Sequence, residues 1–198
     1  MLQVLAIIIS YLLGSISFSL FAGKLLKGID IRQHGSGNAG ATNTLRILGT
    51  GPAIAVLALD VLKGIAAVWI GWWLGGDQVW TPLLCGIMVI IGHNWPIYFR
   101  FKGGKGIATT IGVLATLCFW PALIAGIFAI LAIAITRYVS LGSLIFTALT
   151  PVFLLLSGTG PELFWTSLLI AAFAFYRHRT NIVKLVRKKE SKLGKKGI

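Results

Sequence analysis

Apolar residues in this chain neither alternate nor form narrow amphipathic stripes. They come in runs long enough to cross a bilayer, separated by short polar stretches. Residues 2–23 form the first run, and at ~1.5 Å per residue they exceed the ~30 Å hydrocarbon core. Gly14, Ser15, Ser17 and Ser19 within it suit close helix packing. Lys24, Lys27 and Arg32 follow. The second run, 51–75, carries Asp60 and Lys63, three positions apart and therefore on one helical face. Intramembrane charge is expensive, so this pair is expected to face a bundle interior as a structural ion pair rather than to catalyse. The third run, 82–99, ends in HNWPIYF. There Pro96 should kink or stop the helix, and Trp95 and Tyr98 resemble an interfacial belt.

Residues 107–136 are uncharged; as one helix they would reach ~45 Å, too long for the core. Lys105 and Arg137 flank them, and both belong inside if positive charge stays cytoplasmic. A hairpin turning near Trp120-Pro121 satisfies both constraints. Its two short arms imply helix ends below the membrane surface or a locally thinned bilayer, which would sink a cytoplasmic site into the membrane. Runs 141–156 and 163–176 complete the set, joined by the turn 157–162. The expected fold is an all-α integral membrane protein, a bundle of seven transmembrane helices, several of them short. The N-terminus is outside and the C-terminus cytoplasmic. Residues 1–183 form a single transmembrane domain. The basic stretch from Arg177 should lie amphipathically on anionic lipid or stay partly disordered, with 184–198 as a cytoplasmic tail. Every Lys and Arg except Lys63 then falls in an inner segment, and the outer turns hold only Asp77 and Glu162.

Composition agrees: of 198 residues, 57% are hydrophobic and 12% charged, which leaves almost nothing for a soluble domain. The net charge of +13 suggests a nucleic-acid binder only until its placement is considered, because the cations lie between and after the apolar runs. Cys85 and Cys118 both sit in apolar runs and read as small packing residues, not as a disulfide, a metal site or a nucleophile. The first run is too long, and lacks the charged start, for a cleavable signal.

Against this background the stretch GSGNAGATNTLR, residues 35–46, stands apart. Gly35, Gly37 and Gly40 allow backbone N–H groups to turn toward an anion. Ser36, Asn38, Thr42, Asn43 and Thr44 add neutral hydrogen-bonding groups, and Arg46 adds a planar fork suited to phosphate. The topology puts three more polar segments on the same side. In FKGGKG, Gly103, Gly104 and Gly106 repeat the nest, Lys105 supplies a point charge, and a helix start follows. RYVSLGS brings Arg137, Ser140 and Ser143, and HRTN brings His178 and Asn181. So many donors with so few carboxylates call for an anion, and for more than one phosphate.

Several motif matches fail on context. Gly35-x-Gly37-x-x-Gly40 fits a dinucleotide fingerprint, but a membrane run rather than a strand precedes it. Gly104-Lys105 lacks the Ser/Thr and the upstream Gly of a P-loop. None of His34, His93 and His178 has an Asp five positions on, as an HxxxxD acyltransferase requires. The histidines lack zinc spacing, and the sparse carboxylates make no metal cage.

GSGNAGATN, GGKGIAT and RYVSLGS, in that order, resemble the three signature motifs of the bacterial acyl-phosphate:glycerol-3-phosphate acyltransferases, the PlsY family. The resemblance covers essentially the whole chain. It implies a multi-pass enzyme of the bacterial inner membrane whose active site faces the cytoplasm. The implied reaction moves a fatty acyl group from acyl phosphate to the 1-hydroxyl of glycerol 3-phosphate, giving lysophosphatidic acid and phosphate, the first step of phospholipid synthesis. It implies no cofactor, no metal and no nucleic acid. Membrane lipids surround the enzyme, and an acyl-phosphate-forming enzyme would act upstream. By motif, Ser36, Gly37, Asn38, Ala39, Gly40, Thr42 and Asn43 would line the acyl-phosphate pocket. Lys105 with Arg46 would hold glycerol 3-phosphate, and Ser143, His178 and Asn181 would complete that pocket.

A mixed anhydride has a good leaving group, so the chemistry needs orientation and electrostatic stabilisation rather than a covalent acyl-enzyme. A substrate phosphate is the favoured acceptor of the hydroxyl proton, with His178 as the competitor. A transporter of phosphorylated metabolites, or a lipid-binding scaffold using the basic tail, would share parts of this pattern.

Overall fold

The computed structural model describes residues 1–194, which are helices, turns and connecting segments without a strand. The last four residues of the predicted tail lie outside the described residues. Five helical stretches are long and apolar enough to cross a membrane: Leu2–Lys27, Thr50–Gly75, Trp80–Phe99, Phe119–Thr136 and Val139–Leu156. The chain divides into two compact units, meeting in sequence between Thr116 and Leu117.

The first unit begins with α1 (Leu2–Ser15) and α2 (Phe18–Lys27). The sequence predicts one continuous run over 2–23, but the helix breaks at Ile16, whose backbone is extended (φ −70°, ψ 120°). The break leaves α1 carbonyls unpaired, and a side chain supplies the partner: the Lys63 ammonium donates to Gly14 O at 3.1 Å and Ile16 O at 2.8 Å. After a short 3-10 turn, Ile31–Gln33, come α3 (Ala41–Leu48) and α4 (Thr50–Gly75). The unit ends with α5 (Trp80–Asn94), a second 3-10 turn at Ile97–Phe99, and α6 (Ile107–Leu117). Helix α1 packs on α5 and α4, α4 on α5, and α3 on α4. Backbones approach closely where α1 meets α5. A β-carbon on Gly14 would overlap the Val89 carbonyl, and one on Gly92 would overlap the Tyr11 carbonyl.

The second unit holds α7 (Phe119–Thr136), α8 (Val139–Leu156), α9 (Pro161–Arg177) and α10 (Arg179–Val186). Helix α7 packs on α8, α8 on α9, and the short α10 touches both α8 and α9. The turn between α6 and α7 falls at Cys118 (φ −149°, ψ 69°), just before the Trp120-Pro121 predicted from sequence. Pro121 is the third residue of α7, where a missing N–H leaves no intrahelical bond unmade, so it opens the helix instead of ending the previous one.

The burial pattern reverses that of a water-soluble bundle. Leu57, Leu62, Trp69, Ile130 and Ile135 point outward, while Ser10, Ser15, Asp60, Lys63, Thr109, Thr147 and Thr150 are buried. Lipid solvates the outward residues, and polar groups are satisfied internally because hydrocarbon offers them nothing.

Candidate functional site

In the first unit the glycine-rich stretch divides in two. Residues through Gly40 form a loop, and Ala41 starts α3, so Arg46 sits on a helix and not in the loop expected from sequence. Gly35 and Gly37 take the left-handed conformation (φ +62° and +71°), while Gly40 is extended. The loop is held by Asn43, which is 1% exposed. Its Oδ1 accepts from the Ser36 N–H at 2.9 Å, and its Nδ2 donates to the Ile31 and His34 carbonyls, both at 3.0 Å. The Asn43 amide is thus bound up in the loop's own backbone. Ala39 is likewise a core residue, packed with Leu20 and Ile31. Ser36 and Gly37 are exposed, Asn38, Gly40 and Thr42 half-buried. Thr42 and Arg46, four apart, share one face of α3, and no side chain caps that helix's first turn. The Arg46 guanidinium makes no hydrogen bond or ion pair among the described residues.

The second loop, 103–106, is more deeply set: Gly104 and Gly106 are buried, Gly103 and Lys105 half-buried. The Gly104 N–H donates to His93 O at 3.1 Å. A β-carbon on Gly104 would overlap both the Ala39 carbonyl and His93 Nε2, so the two glycine loops abut with no room for a side chain between them. Gly106 (φ +79°) leads directly into α6, whose first-turn Thr110 N–H donates to Gly106 O at 2.7 Å.

Arg32, which sequence reasoning passed over as a loop cation, ties the segment before the second loop to the first. Its guanidinium donates to the Phe99 and Lys102 carbonyls, both at 3.2 Å, and grips Asp30 with an Nη2–Oδ2 distance of 2.6 Å. That side-chain hydrogen bond holds the Asp30 carboxyl below its ordinary range, despite the opposing pull of partial burial. The signal was present as Asp-x-Arg spacing at a turn, but nothing local pointed to residues about seventy positions away.

In the second unit, Arg137 ends α7 in a left-handed conformation (φ +63°) and is exposed. Ser140 and Ser143 occupy the first turns of α8 and are buried. The Ser143 hydroxyl donates to Val139 O at 2.9 Å, whereas Ser140 Oγ has no hydrogen-bond partner among the described residues. His178 is the junction of α9 and α10 and is 2% exposed. Its Nδ1 donates to Ala174 O at 2.8 Å, which makes Nε2 the acceptor nitrogen of the neutral ring. The Asn181 amide donates to Glu190 Oε1 at 2.9 Å, and the Leu193 N–H donates to Arg137 O at 2.7 Å. The chain beyond α10 therefore folds back onto the predicted site residues of its own unit.

The first unit thus brings together two abutting glycine turns, each followed by a helix start, with Arg46 on the helix after the first and Lys105 within the second. His93, set aside in the sequence because it lacked zinc spacing, lies directly under the second loop.

The chain matches the family model described as glycerol-3-phosphate acyltransferase over residues 4–188. It is 55% identical over 195 residues to the glycerol-3-phosphate acyltransferase of Shouchella clausii, covering 96% of this chain and 95% of that one. It is 53% identical over 197 residues to that of Halalkalibacterium halodurans, covering 97% and 96%. Among solved structures, it is similar to the crystal structure of PlsY (YgiH), an integral membrane glycerol 3-phosphate acyltransferase, in its glycerol 3-phosphate form. There the TM-score is 0.91 at 38% identity, over 97% of this chain and 96% of that chain. The lysophosphatidic acid form gives 0.89 at 37%, over 97% and 95%. Family model, relatives and structures agree over nearly the full length, and the chain belongs to the integral membrane glycerol-3-phosphate acyltransferases of PlsY type.

Proposed function

We propose that this chain uses acyl phosphate as its donor and transfers the acyl group to the 1-hydroxyl of glycerol 3-phosphate at the cytoplasmic face of a bacterial inner membrane. The observation that carries the reading is the abutment of the two glycine loops at Ala39 and Gly104, with Arg46 and Lys105 beside them. Donor and acceptor each bring a phosphate, and the two adjoining loops offer Arg46, Lys105 and the Ser36, Asn38 and Thr42 side chains. The Ser36, Gly37, Gly40 and Gly104 N–H groups are spent inside the protein, not turned to an anion as the sequence suggested. The solved relatives named for their glycerol 3-phosphate and lysophosphatidic acid forms fit the acceptor and the product.

In the reaction the acceptor oxygen forms a bond to the acyl carbon and the carbon–oxygen bond to phosphate breaks. The hydroxyl proton leaves to a phosphate oxygen, and inorganic phosphate departs. The Ser36 and Asn38 side chains hydrogen-bond the leaving phosphate as its charge grows. Arg46 and Lys105 hold the acceptor phosphate. The alternative proton acceptor is His178, whose Nδ1–H is committed to Ala174.

The topology is seven crossings, with α6 and α9 added to the five longer stretches, the N-terminus outside and the C-terminus inside. Helix α6 has 11 residues and so rises only about 16 Å, which sets the loop before it well below the membrane surface. A long acyl chain can then reach the site from the bilayer. No cofactor enters the reaction, and the acyl phosphate comes from an upstream enzyme.

The test is product formation by the purified protein in detergent from glycerol 3-phosphate with palmitoyl phosphate, run beside palmitoyl-CoA. Lysophosphatidic acid from palmitoyl phosphate alone is expected, and turnover of palmitoyl-CoA alone would refute the assigned donor. Cysteines at Asp77 and Glu162 should label from outside intact cells, and cysteines at Ser36 and Lys102 should not. A pH–rate profile that survives His178→Gln would leave the phosphate as proton acceptor.

A further inference from the structure

Inside the first unit, away from both loops' open faces, Asp60, Lys63, His93 and Thr109 meet where α1, α4, α5 and α6 come together. They are 2%, 3%, 7% and 0% exposed. Lys63 Nζ lies 2.7 Å from Asp60 Oδ1 and 3.0 Å from His93 Nδ1, in addition to its two bonds to the α1 carbonyls. His93 Nδ1 is also 3.5 Å from Asp60 Oδ1 and 3.4 Å from Thr109 Oγ1. The Phe18 ring sits with its centroid 5.6 Å from the ammonium.

The far side of the His93 ring faces the second glycine loop. Its Nε2 edge lies where a β-carbon on Gly104 would be, and its carbonyl accepts from the Gly104 N–H while leaving no space for a β-carbon on Gly103. Asn94, 0% exposed, continues this floor, with Oδ1 against Gly106. The last two residues of α5 thus shape the underside of the segment that carries Lys105, and one imidazole touches both that segment and the buried charges. A buried ion pair gains little net stability, because desolvation offsets its Coulomb attraction. The open carbonyls at the end of α1 account for the ammonium and Asp60 for its counter-charge, but neither calls for an imidazole beside them. The imidazole is held by Lys63, whose Nζ lies 3.0 Å from Nδ1, the ring edge opposite the loop.

We infer that His93, locked by the Asp60–Lys63 pair, is a positioning residue that sets the shape of the loop 103–106 and thereby the affinity for the phosphate of the acceptor. The inference rests on the proposed role of Lys105 in holding that phosphate. The pair is then neither a bystander nor part of the chemistry. It is the anchor of the binding loop.

The test uses the full-length enzyme in detergent, with saturating palmitoyl phosphate and varied glycerol 3-phosphate. It compares His93→Ala, His93→Asn, His93→Gln, Lys63→Met and Lys105→Ala. Asparagine keeps a polar atom toward Lys63 but loses the Nε2 edge, while glutamine restores an amide near the Nε2 position. The expected result is a KM for glycerol 3-phosphate raised about tenfold or more by His93→Ala, His93→Asn and Lys63→Met, with kcat lowered less than KM is raised. His93→Gln should return KM to within about threefold of the parent. An unchanged KM in folded His93→Ala and His93→Asn protein, beside a raised KM in Lys105→Ala, overturns the positioning role and leaves the phosphate assignment standing. An unchanged KM in Lys105→Ala overturns both. Loss of folded protein in all three His93 variants also overturns it, since the residue would then serve stability alone.

Discussion

The two glycine loops look alike in sequence and are built on opposite principles. The loop through residues 35–40 is largely exposed, and Gly37 is glycine because its backbone is left-handed: a β-carbon there would find only the Arg32 carbonyl, at 3.2 Å. Loop 103–106 is buried, and Gly104 is glycine because a carbonyl and an imidazole occupy the place of a side chain. At Gly37 the need is freedom of φ, at Gly104 absence of volume. The first is clasped from within, by Asn43. The second is clamped from outside by Arg32, His93 and Asn94, and presents Lys105 on a rigid seat.

The most severe way to break this comparison is Gly104→Ala. A methyl group forced between Ala39 O and His93 costs about 1–3 kcal/mol as overpacking and must also separate the two loops. A loss of kcat/KM of about 100-fold or more is expected from the same acyltransfer assay. Removing a cation comes next. Arg46→Ala and Lys105→Ala should each lower kcat/KM for glycerol 3-phosphate by roughly 10- to 100-fold, since charge-assisted hydrogen bonds contribute about 1.5–3 kcal/mol. Arg46→Lys should recover little of it, because a point charge does not replace a fork. Lys188→Ala, on an exposed turn after α10, should change little.

Gly37→Ala sharpens the contrast, because the left-handed backbone costs an alanine about 1–2 kcal/mol without a collision of the kind at Gly104. Activity should fall about tenfold, mainly through the donor KM, and a loss equal to that of Gly104→Ala would show the two loops to be equivalent.

The smallest effect belongs to the surface clamp. Asp30 is held below its ordinary pKa by its hydrogen bond from Arg32, so its contribution to stability is complete above the unfolded value near 4 and disappears as pH falls through the lower folded value. Asp30→Asn should therefore lower Tm slightly at neutral pH and by progressively less on the acid side of pH ~4. The two side chains are 26% and 31% exposed, so solvent screens the pair and the shift should be at most a few degrees.

The two loops also differ in how legible they were. The first advertised itself through Gly35, Gly37 and Gly40 among polar residues, and the second through Gly103-Gly104-Lys105-Gly106. Apolar run lengths located the long helices, because 3.6-residue geometry and bilayer thickness leave little choice. Asp60 and Lys63 were correctly placed on one inward face by their spacing alone. The partners were not legible. Nothing near Lys63 announces the carbonyls of Gly14 and Ile16, about fifty positions earlier, so the break after α1 looked like continuous helix. The apolar character of Ile16 concealed its extended backbone. His93 carried no motif, and its place under the loop depends on how α5 ends against α6. Asn43 and Ala39 read as pocket residues from their motif; the structure adds that Asn43 clasps the loop and Ala39 anchors it in the core, which the motif did not reveal.

The hold of Lys63 on the end of α1 has a consequence for how the protein is made. When α1 and α2 first enter the bilayer, the carbonyls of Gly14 and Ile16 face hydrocarbon with no donor in reach, a penalty of several kcal/mol for each group in such an environment. Lys63 lies nearly fifty positions beyond these carbonyls, so they wait until α4 brings the missing ammonium. Asp60 travels with it as a counter-ion one turn away, so the charge enters lipid already half neutralised. The broken first span thus cannot settle by itself during synthesis. Its assembly waits for α4, and a nascent chain released before Lys63 has emerged would carry an unfinished first helix for the quality-control proteases to find.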